Sequence, residues 1–425
     1  MEEIFGPEGI MMKGFPAFEH REEQLELAES VAGALASEGG YTLAAEAPPG
    51  VGKTFALLAP AMLRASASGE TVLFLTASIP LQEQLIMKDL PRLNELLGLD
   101  LPFGLLKGKG NYACLSRAEE ASEGDEGRQG YLSHRDGGRS SREIEDWLKR
   151  TATGDLSELS LPQDSPALAA IAASSRSCRG FRCPMRGECF VQRALREARG
   201  WRIIVANYHL YFSYIMAAGK PFPVPYDMLI CDEAHRLSEA ARSSMTVSVS
   251  DEDLVRLLRS RPFTDAVAEL QRSGRQGAAM ILSSELREES ARFFEQLDIL
   301  LPGGKENITA KNDDLLQRQR ALCGKLKGLQ DLLEPLSSGD ETFESGEDGG
   351  ISAWMEECGR IRRSLAWCAE VSDYPSWAYW KGGRTLFSAP VSPGSELASA
   401  IHSGPANRSV FISATLTIDG RLDYW

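Results

Sequence analysis

Two short stretches carry residues of the right type and spacing for phosphate chemistry. The first is Ala47-Pro48-Pro49-Gly50-Val51-Gly52-Lys53-Thr54, set between an apolar run and a helical pattern. Gly50 and Gly52 let backbone N–H groups approach phosphate oxygens closely, and the helix that follows adds the positive end of its dipole. Lys53 is then placed to reach the β- and γ-phosphates of ATP, and the Thr54 hydroxyl to ligate Mg²⁺. Ala47 stands where the general pattern has its first glycine, and the flanking strand and helix turn a pattern match into a site. The second stretch, Asp232-Glu233-Ala234-His235, closes the apolar run Met228-Leu229-Ile230-Cys231. An acidic pair at the carboxyl end of a buried strand sits at the ligand edge of an open sheet. Asp232 is expected to hold Mg²⁺ through water, and Glu233 to orient and deprotonate an attacking water. No second His or Cys stands beside His235, so it reads as a γ-phosphate sensor or a link between nucleotide and a second ligand.

The cysteines form a third constellation. Cys178, Cys183 and Cys189 are separated by four and five residues, with Cys114 far upstream. Structural zinc sites usually pair cysteines about two to four residues apart. Wider, irregular gaps with one distant partner suit an iron–sulfur cubane held by loops, with zinc as the competing metal. Cys231, Cys323, Cys358 and Cys368 lie in apolar or helical contexts and read as buried thiols. Lys107, Lys109, Arg176, Arg179, Arg182 and Arg186 make the region around the cysteine group locally basic, as backbone contacts to nucleic acid would need or as ordinary solvated charge would give. Tyr112, Phe181 and Tyr208 suit either base stacking or core packing.

These residues need elements to position them. Helical spacing of Leu25, Ala28, Ala32 and Leu35 predicts a helix over Arg21 to Ala36. Strands are predicted at Tyr41–Glu46 and Thr71–Thr76, with helices over Thr54–Ala67 and Leu81–Leu90. That alternation belongs to a parallel α/β sheet. It breaks near Gly104, resumes with strands at Trp201–Ala206 and Tyr226–Cys231, and gives way to amphipathic helical segments from Leu237 to Ala369. Among these are Asp251–Arg259, Ser284–Leu300 and Asn312–Leu336. Arg384–Phe387 and Ser409–Ser413 are expected to return to strand. Trp377, Tyr379 and Trp380 are expected in a core or at a domain junction.

Composition bounds the reading. At 425 residues, 43% hydrophobic and 25% charged, the chain has the make-up of a soluble protein of roughly two to four domains. No apolar run has the length of a membrane span. The start has no basic and apolar leader, so a cytoplasmic location is expected, where clustered cysteines mean metal rather than disulfides. A net charge of −14 lowers the expectation of nucleic-acid binding without excluding a locally positive groove.

Several stretches together resemble the DinG/XPD kind of superfamily 2 iron–sulfur DNA helicase. Asp232-Glu233-Ala234-His235 matches that superfamily's acidic motif, and Arg21-Glu22-Glu23-Gln24 resembles its adenine-contacting element. The stretch from Thr76 to Pro91 resembles motif Ia, and Leu106 to Cys114 the lead-in to the first cluster cysteine. Val205 to Leu210 is similar to the segment before the acidic motif, and Ser413-Ala414-Thr415-Leu416 to motif III. The resemblance implies an α/β fold, a RecA-like parallel sheet with helices on both faces. Its segments would be 1–106, 201–236 and 371–425, interrupted by a cluster domain (107–200) and a mainly helical arch (237–370).

It further implies ATP bound by Arg21, Gln24, Gly50, Gly52, Lys53, Thr54 and His235, with Mg²⁺ at Thr54 and Asp232. Lys53, Asp232 and Glu233 would be catalytic, and Cys114, Cys178, Cys183 and Cys189 would hold a [4Fe–4S] cluster. Thr76, Ser413 and Thr415 would couple hydrolysis to movement on single-stranded DNA. The implied partners are single-stranded DNA and DNA junctions, with 5′→3′ unwinding of forks, R-loops or D-loops by a monomer. Motif III is followed in that family by a second motor domain, whereas this sequence ends ten residues after Thr415. The second domain is therefore expected on a longer chain, and the 425 residues alone are expected to hydrolyse ATP slowly or not at all. The competing function is a non-motor module binding nucleic acid or a protein partner, with a structural or redox metal cluster.

Overall fold

The computed structural model describes residues 1–15, 18–123, 139–162, 164–174, 178, 180–217, 219–271, 274–337, 350–371, 373, 375–402 and 404–417. The strands are β1 (Tyr41–Glu46), β2 (Val72–Thr76), β3 (Phe103–Leu105), β4 (Ile203–Asn207) and β5 (Met228–Asp232). They continue with β6 (Val247–Ser250), β7 (Lys305–Asn307), β8 (Trp377–Gly382), β9 (Thr385–Pro390) and β10 (Arg408–Ser413).

Six of them form a sheet in the order β1-β10-β5-β2-β4-β3, with every pairing parallel. The near-continuous apolar runs of β2, β4, β5 and β10 are what a sheet covered on both faces demands. Alternate residues of each strand enter two separate cores. Val72, Phe74, Ile203, Val205, Met228, Ile230, Val410 and Ile412 pack with the helices Glu22–Ala36 and Lys53–Ser68. Leu73, Leu75, Ile204, Ala206, Leu229, Cys231 and Phe411 pack with the helices Tyr208–Phe212, Leu237–Met245 and Gly394–His402. The expected α/β fold with helices on both faces is therefore present.

The chain divides into two compact units. The first holds 1–173, 187–244 and 392–425, and the second holds 174–186 and 245–391. Within the first unit, Tyr112, Ile144, Trp147, Ile171 and Phe190 centre a small core of their own. It is braced by Trp147 Nε1 donating to Glu158 (2.8 Å) and by Lys107 Nζ against Asp155 (2.5 Å).

The second unit combines helices Asp251–Arg259, Gln276–Leu300, Asp313–Ser337 and Gly350–Ala369 with an antiparallel sheet in the order β6-β9-β8-β7. Ser250 and Asp253 close a reciprocal cap at the start of its first helix. The strand expected over Arg384–Phe387 exists as β9, but it pairs in this antiparallel sheet and not in the parallel one. The mainly helical insertion thus carries a four-stranded sheet, which short strands in a helical context did not announce. Trp377, Tyr379 and Trp380 lie on β8; Trp380 stacks on Phe387 with centroids 5.3 Å apart, and Tyr379 is buried. Among the described residues no helix is long and apolar enough to cross a membrane.

Candidate active site

Register brings the motif residues into one row. In the parallel pairing, Glu46 lies opposite Ser413, Ile412 opposite Asp232, and Thr76 opposite Asn207. The carboxyl ends of β1, β10, β5, β2 and β4 therefore form one edge, where an open α/β sheet binds its ligands.

The phosphate loop leaves β1 at Glu46 and enters the helix at Lys53. Gly50 and Gly52 have φ of 90° and 86°, left-handed values that side-chain-bearing residues rarely adopt. Gly52 caps the helix of residues 53–68 and leaves its first-turn N–H groups available to an anion. Lys53 Nζ donates to the Ala47 carbonyl at 3.4 Å and lies 3.5 Å from Glu233 Oε1. The ammonium thus spans the loop's mouth and reaches the acidic motif.

Asp232 ends β5 and is 3% exposed. Burial, and then the neighbouring Glu233 charge, push its carboxyl up to about 6, against a smaller opposing pull from Lys53. A cation seated there would favour the ionised form. Mg²⁺ normally takes only one or two protein oxygens and completes its shell with water and phosphate. The buried carboxylate of Asp232 and the hydroxyl-bearing Thr54 fit that donor set.

Glu233 has φ 55°, a left-handed conformation found at no other described residue except glycines. Such backbone persists where surrounding structure enforces it. Glu233 Oε2 is 3.3 Å from His235 Nδ1 and accepts from Ser413 Oγ at 3.4 Å, while His235 Nδ1 and Ser413 Oγ are 2.7 Å apart. Ser413 Oγ also accepts from the Thr415 N–H at 3.3 Å. One connected set of polar groups thus joins Lys53, Glu233, His235, Ser413 and Thr415.

The remaining expected residues divide. Gln24 is buried against the phosphate loop, donating through Nε2 to the Gly52 carbonyl at 2.9 Å. Arg21 instead pairs with Glu19 at the surface, 3.3 Å away. Thr76 is buried, and its hydroxyl finds no hydrogen-bond partner among the described residues. Tyr208, a stacking candidate, is buried and donates its hydroxyl to the Asp232 carbonyl at 2.6 Å. That satisfies an acceptor at the strand end and fixes the turn into Glu233. Tyr112 is likewise core, whereas Phe181 is 88% exposed with the Arg186 guanidinium 4.2 Å from its ring centre. Arg176 and Arg179 lie outside the described residues, as does the Arg182 side chain. Lys107 is committed to Asp155 and Ser157.

Sequence reasoning missed Glu46. Its carboxylate accepts from the Leu416 N–H (3.2 Å) and from the Thr417 hydroxyl (2.6 Å), and the latter bond holds it below the usual carboxylate range. Only the parallel register, invisible in one sequence, makes that pairing evident.

No disulfide joins any of the eight cysteines. Cys178 is exposed and Cys114, Cys183 and Cys189 are half-buried, whereas Cys231, Cys358 and Cys368 are buried. Burial pushes the Cys358 and Cys368 thiols up to about 12, and the Cys231 thiol higher still, as befits inert core residues. The donor chemistry of the first four, three of them half-buried and one exposed, suits a metal. Cys114 and Cys189 belong to the first unit and Cys178 and Cys183 to the second. Among the described residues no three His, Cys, Asp or Glu side chains are gathered as a metal ion requires.

No protein-family model matches the chain. It is similar to the ATP-dependent DNA helicase YoaA of Escherichia coli, at 30% identity over 437 residues covering all of this chain and 64% of that protein. The ATP-dependent helicase DinG of Mycobacterium tuberculosis shares 31% identity over 291 residues, 65% of this chain and 43% of its own length. The ATP-dependent DNA helicase DinG of Escherichia coli shares 28% over 351 residues, 76% of this chain and 49% of that one. The chain thus spans less than two thirds of the length of these relatives. The likeness to DinG-type helicases expected from the motifs is thus found in these sequences.

Proposed function

We propose that this relative of the YoaA and DinG helicases is the nucleotide-binding motor of an ATP-dependent DNA helicase. The observation that carries the reading is the gathering of Lys53, Asp232, Glu233, His235 and Ser413 at one sheet edge beside the phosphate loop. In this reading the N–H groups of residues 50–54 receive the phosphates, and Arg21 and Gln24 hold the adenine. Lys53 exchanges the Ala47 carbonyl and Glu233 for the β- and γ-phosphates. Glu233, relieved of its ammonium partner, takes the proton of the attacking water. Thr54, and Asp232 through water, would hold Mg²⁺, whose chemistry is to neutralise charge on the phosphates. His235 and Ser413 register the change at Glu233 and pass it to Thr415, and Thr76, buried at the end of β2, couples to DNA through its neighbours and not by contact.

Arginines from a second motor domain complete the ATP site, and single-stranded DNA and junctions are the substrates, unwound 5′→3′ by a cytoplasmic monomer. Cys114, Cys178, Cys183 and Cys189 hold a [4Fe–4S] cluster, which would serve to tie the cysteine segment into a rigid lobe. In segment terms, 1–106, 201–236 and 392–425 are the motor, 107–200 the cluster domain and 237–391 the arch, since β8 and β9 pair with β7 and β6 and not with the parallel sheet.

The test is DNA-stimulated ATP hydrolysis and strand separation by the full gene product. Lys53→Ala is expected to lower hydrolysis by roughly 100-fold or more, the scale of losing a preorganised charge on the transferring phosphoryl group. An unchanged rate would sink the phosphate-loop assignment.

A further inference from the structure

We infer that Tyr208 is a positioning residue for Glu233: its buried hydroxyl holds the peptide from which the strained Glu233 backbone turns, and so sets where the carboxylate stands. The inference rests on the reading of Glu233 as the base in ATP hydrolysis and deepens it.

Glu233 Oε1 lies 3.5 Å from Lys53 Nζ, and Oε2 lies 3.3 Å from His235 Nδ1. To stand there the residue takes φ 55°, a conformation that glycine alone adopts without cost. Such a backbone has to be held by its surroundings. The angle φ is the rotation of Glu233 against the rigid peptide plane that joins it to Asp232. That plane is gripped on both sides. Its N–H donates to Asp232 Oδ1 at 3.0 Å, and its carbonyl accepts from Tyr208 Oη at 2.6 Å.

The phenol stands where the strand ladder runs out of donors. The Met228 N–H donates to the Thr71 carbonyl at 3.2 Å, so the even-numbered residues of β5 turn their backbone groups toward β2. The last pair of that ladder is Leu75 with Cys231. The Asp232 carbonyl therefore faces past the end of the ladder, and the hydroxyl takes the place of a strand donor. The ring itself is fixed. Tyr208 is 1% exposed and stacks on Phe212 with centroids 6.3 Å apart. It opens the helix 208–212, which Asn207 Oδ1 caps by accepting from the Leu210 N–H at 2.7 Å. Burial pushes the phenol well above its ordinary value, so it remains a donor throughout the working range. The Cys231 thiol also borders the hydroxyl, but sulfur is a weak acceptor beside a carbonyl. Without the hydroxyl one grip on the plane opens, the turn relaxes toward an ordinary φ, and the carboxylate leaves its place between Lys53 and His235.

The experiment measures DNA-stimulated ATP hydrolysis by the full gene product as wild type, Tyr208→Phe, Glu233→Gln and the double variant, with unfolding temperatures for each. Tyr208→Phe keeps the ring and removes the donor. It should lower kcat by roughly 10- to 100-fold, the scale of a buried acceptor left unmatched and of a reacting group displaced by about 1 Å. The KM for ATP should stay within about twofold, because the phosphate loop is untouched. On the Glu233→Gln background the same change should alter the remaining rate by less than about twofold, since no carboxylate is left to misplace. A residue that merely supports the fold would cost the same factor on both backgrounds, and that result overturns the proposal. So does an unchanged kcat in Tyr208→Phe. Tyr208→4-aminophenylalanine restores an N–H donor at the same place and should recover most of the wild-type rate. Should Tyr208→Phe fail to fold, this variant decides, and a folded but slow protein overturns the proposal. Turnover that survives Glu233→Gln unchanged would overturn the reading of Glu233 as the base together with this one, whereas loss in Glu233→Gln without loss in Tyr208→Phe overturns this one alone.

Discussion

The carboxyl edge of the parallel sheet and the cysteine segment each carry four or more chemically apt residues, drawn from very different local structure. At the sheet edge, Lys53, Glu233, His235 and Ser413 lie within 2.7–3.5 Å of one another in a connected chain. The four cysteines divide between the two compact units, two in each. The difference lies in what fixes each residue. Strand register places the first set, and the sheet is built from apolar burial that needs no ligand. The second set lies in turns and at a helix start, where little besides a metal would draw thiolates together. The first site is set by strand register; the second is expected to draw stability from its metal.

That contrast can be broken by experiment. Its largest consequence concerns Glu233. If the sheet edge is built without a ligand, Glu233→Gln in the full gene product should lower ATP turnover by roughly 10²- to 10⁴-fold, the range for losing a positioned base. The unfolding temperature should barely move, because the carboxamide keeps the shape and the strained backbone. A large drop in unfolding temperature would instead show that the carboxylate network holds the fold, which erases half of the comparison.

The cysteines should behave in the opposite way. Freshly isolated protein is expected to be brown with absorbance at roughly 400 nm from thiolate-bound iron. Cys183→Ser should abolish that absorbance and lower the unfolding temperature of the cysteine segment, read by protease susceptibility across residues 174–186. Cys368→Ser, in a buried core position, should leave the colour intact. Colourless protein carrying stoichiometric zinc would replace the cluster with a zinc site, and metal-free protein as resistant as the metal-bound form would remove the contrast altogether.

How far the sequence already contained these two sites follows from the same physics. β1 begins and ends at the residues expected for it, and the helix over Asp251–Arg259 does too, because caps and apolar periodicity are local signals. The phosphate loop and acidic motif were legible for the same reason, since each is contiguous. The strands β6 and β7 and the sheet they share with β8 and β9 were not, since three- or four-residue strands leave no periodic trace and their partners, β9 for β6 and β8 for β7, are far away in sequence. Tyr208 illustrates the remaining gap. Its type fitted stacking, and only the fold reveals that its hydroxyl serves the Asp232 carbonyl. The left-handed backbone of Glu233 was equally hidden, because an acidic residue gives no sign of such a turn.

The smallest expected effect tests the claim that the sheet is self-supporting at the end away from the nucleotide. There, Glu70 precedes β2 and its carboxylate pairs with both Arg408, the first residue of β10, and Arg64, 2.9 Å away. Arg408 also donates to the Leu35 carbonyl at 2.9 Å, so the group ties two strands and two helices together. The Arg408 hydrogen bond leads in holding the Glu70 carboxyl at about 2, well below its ordinary 4.5. A folded value below the unfolded one means stabilisation that is complete above about 4.5 and fades as pH falls toward 2. Because the side chain keeps part of its solvent contact, the effect is about 1–2 kcal/mol after allowance for screening. Glu70→Gln should therefore destabilise the ligand-free chain by that amount at pH 7 and by clearly less at pH 3, measured as shifts in urea midpoint. The same experiment with nucleotide present should give the same difference, because the cluster lies at the opposite strand ends from the phosphate loop. A mutant whose deficit did not depend on pH would owe it to packing, and one whose deficit vanished with nucleotide would show that ligand binding does help build this sheet.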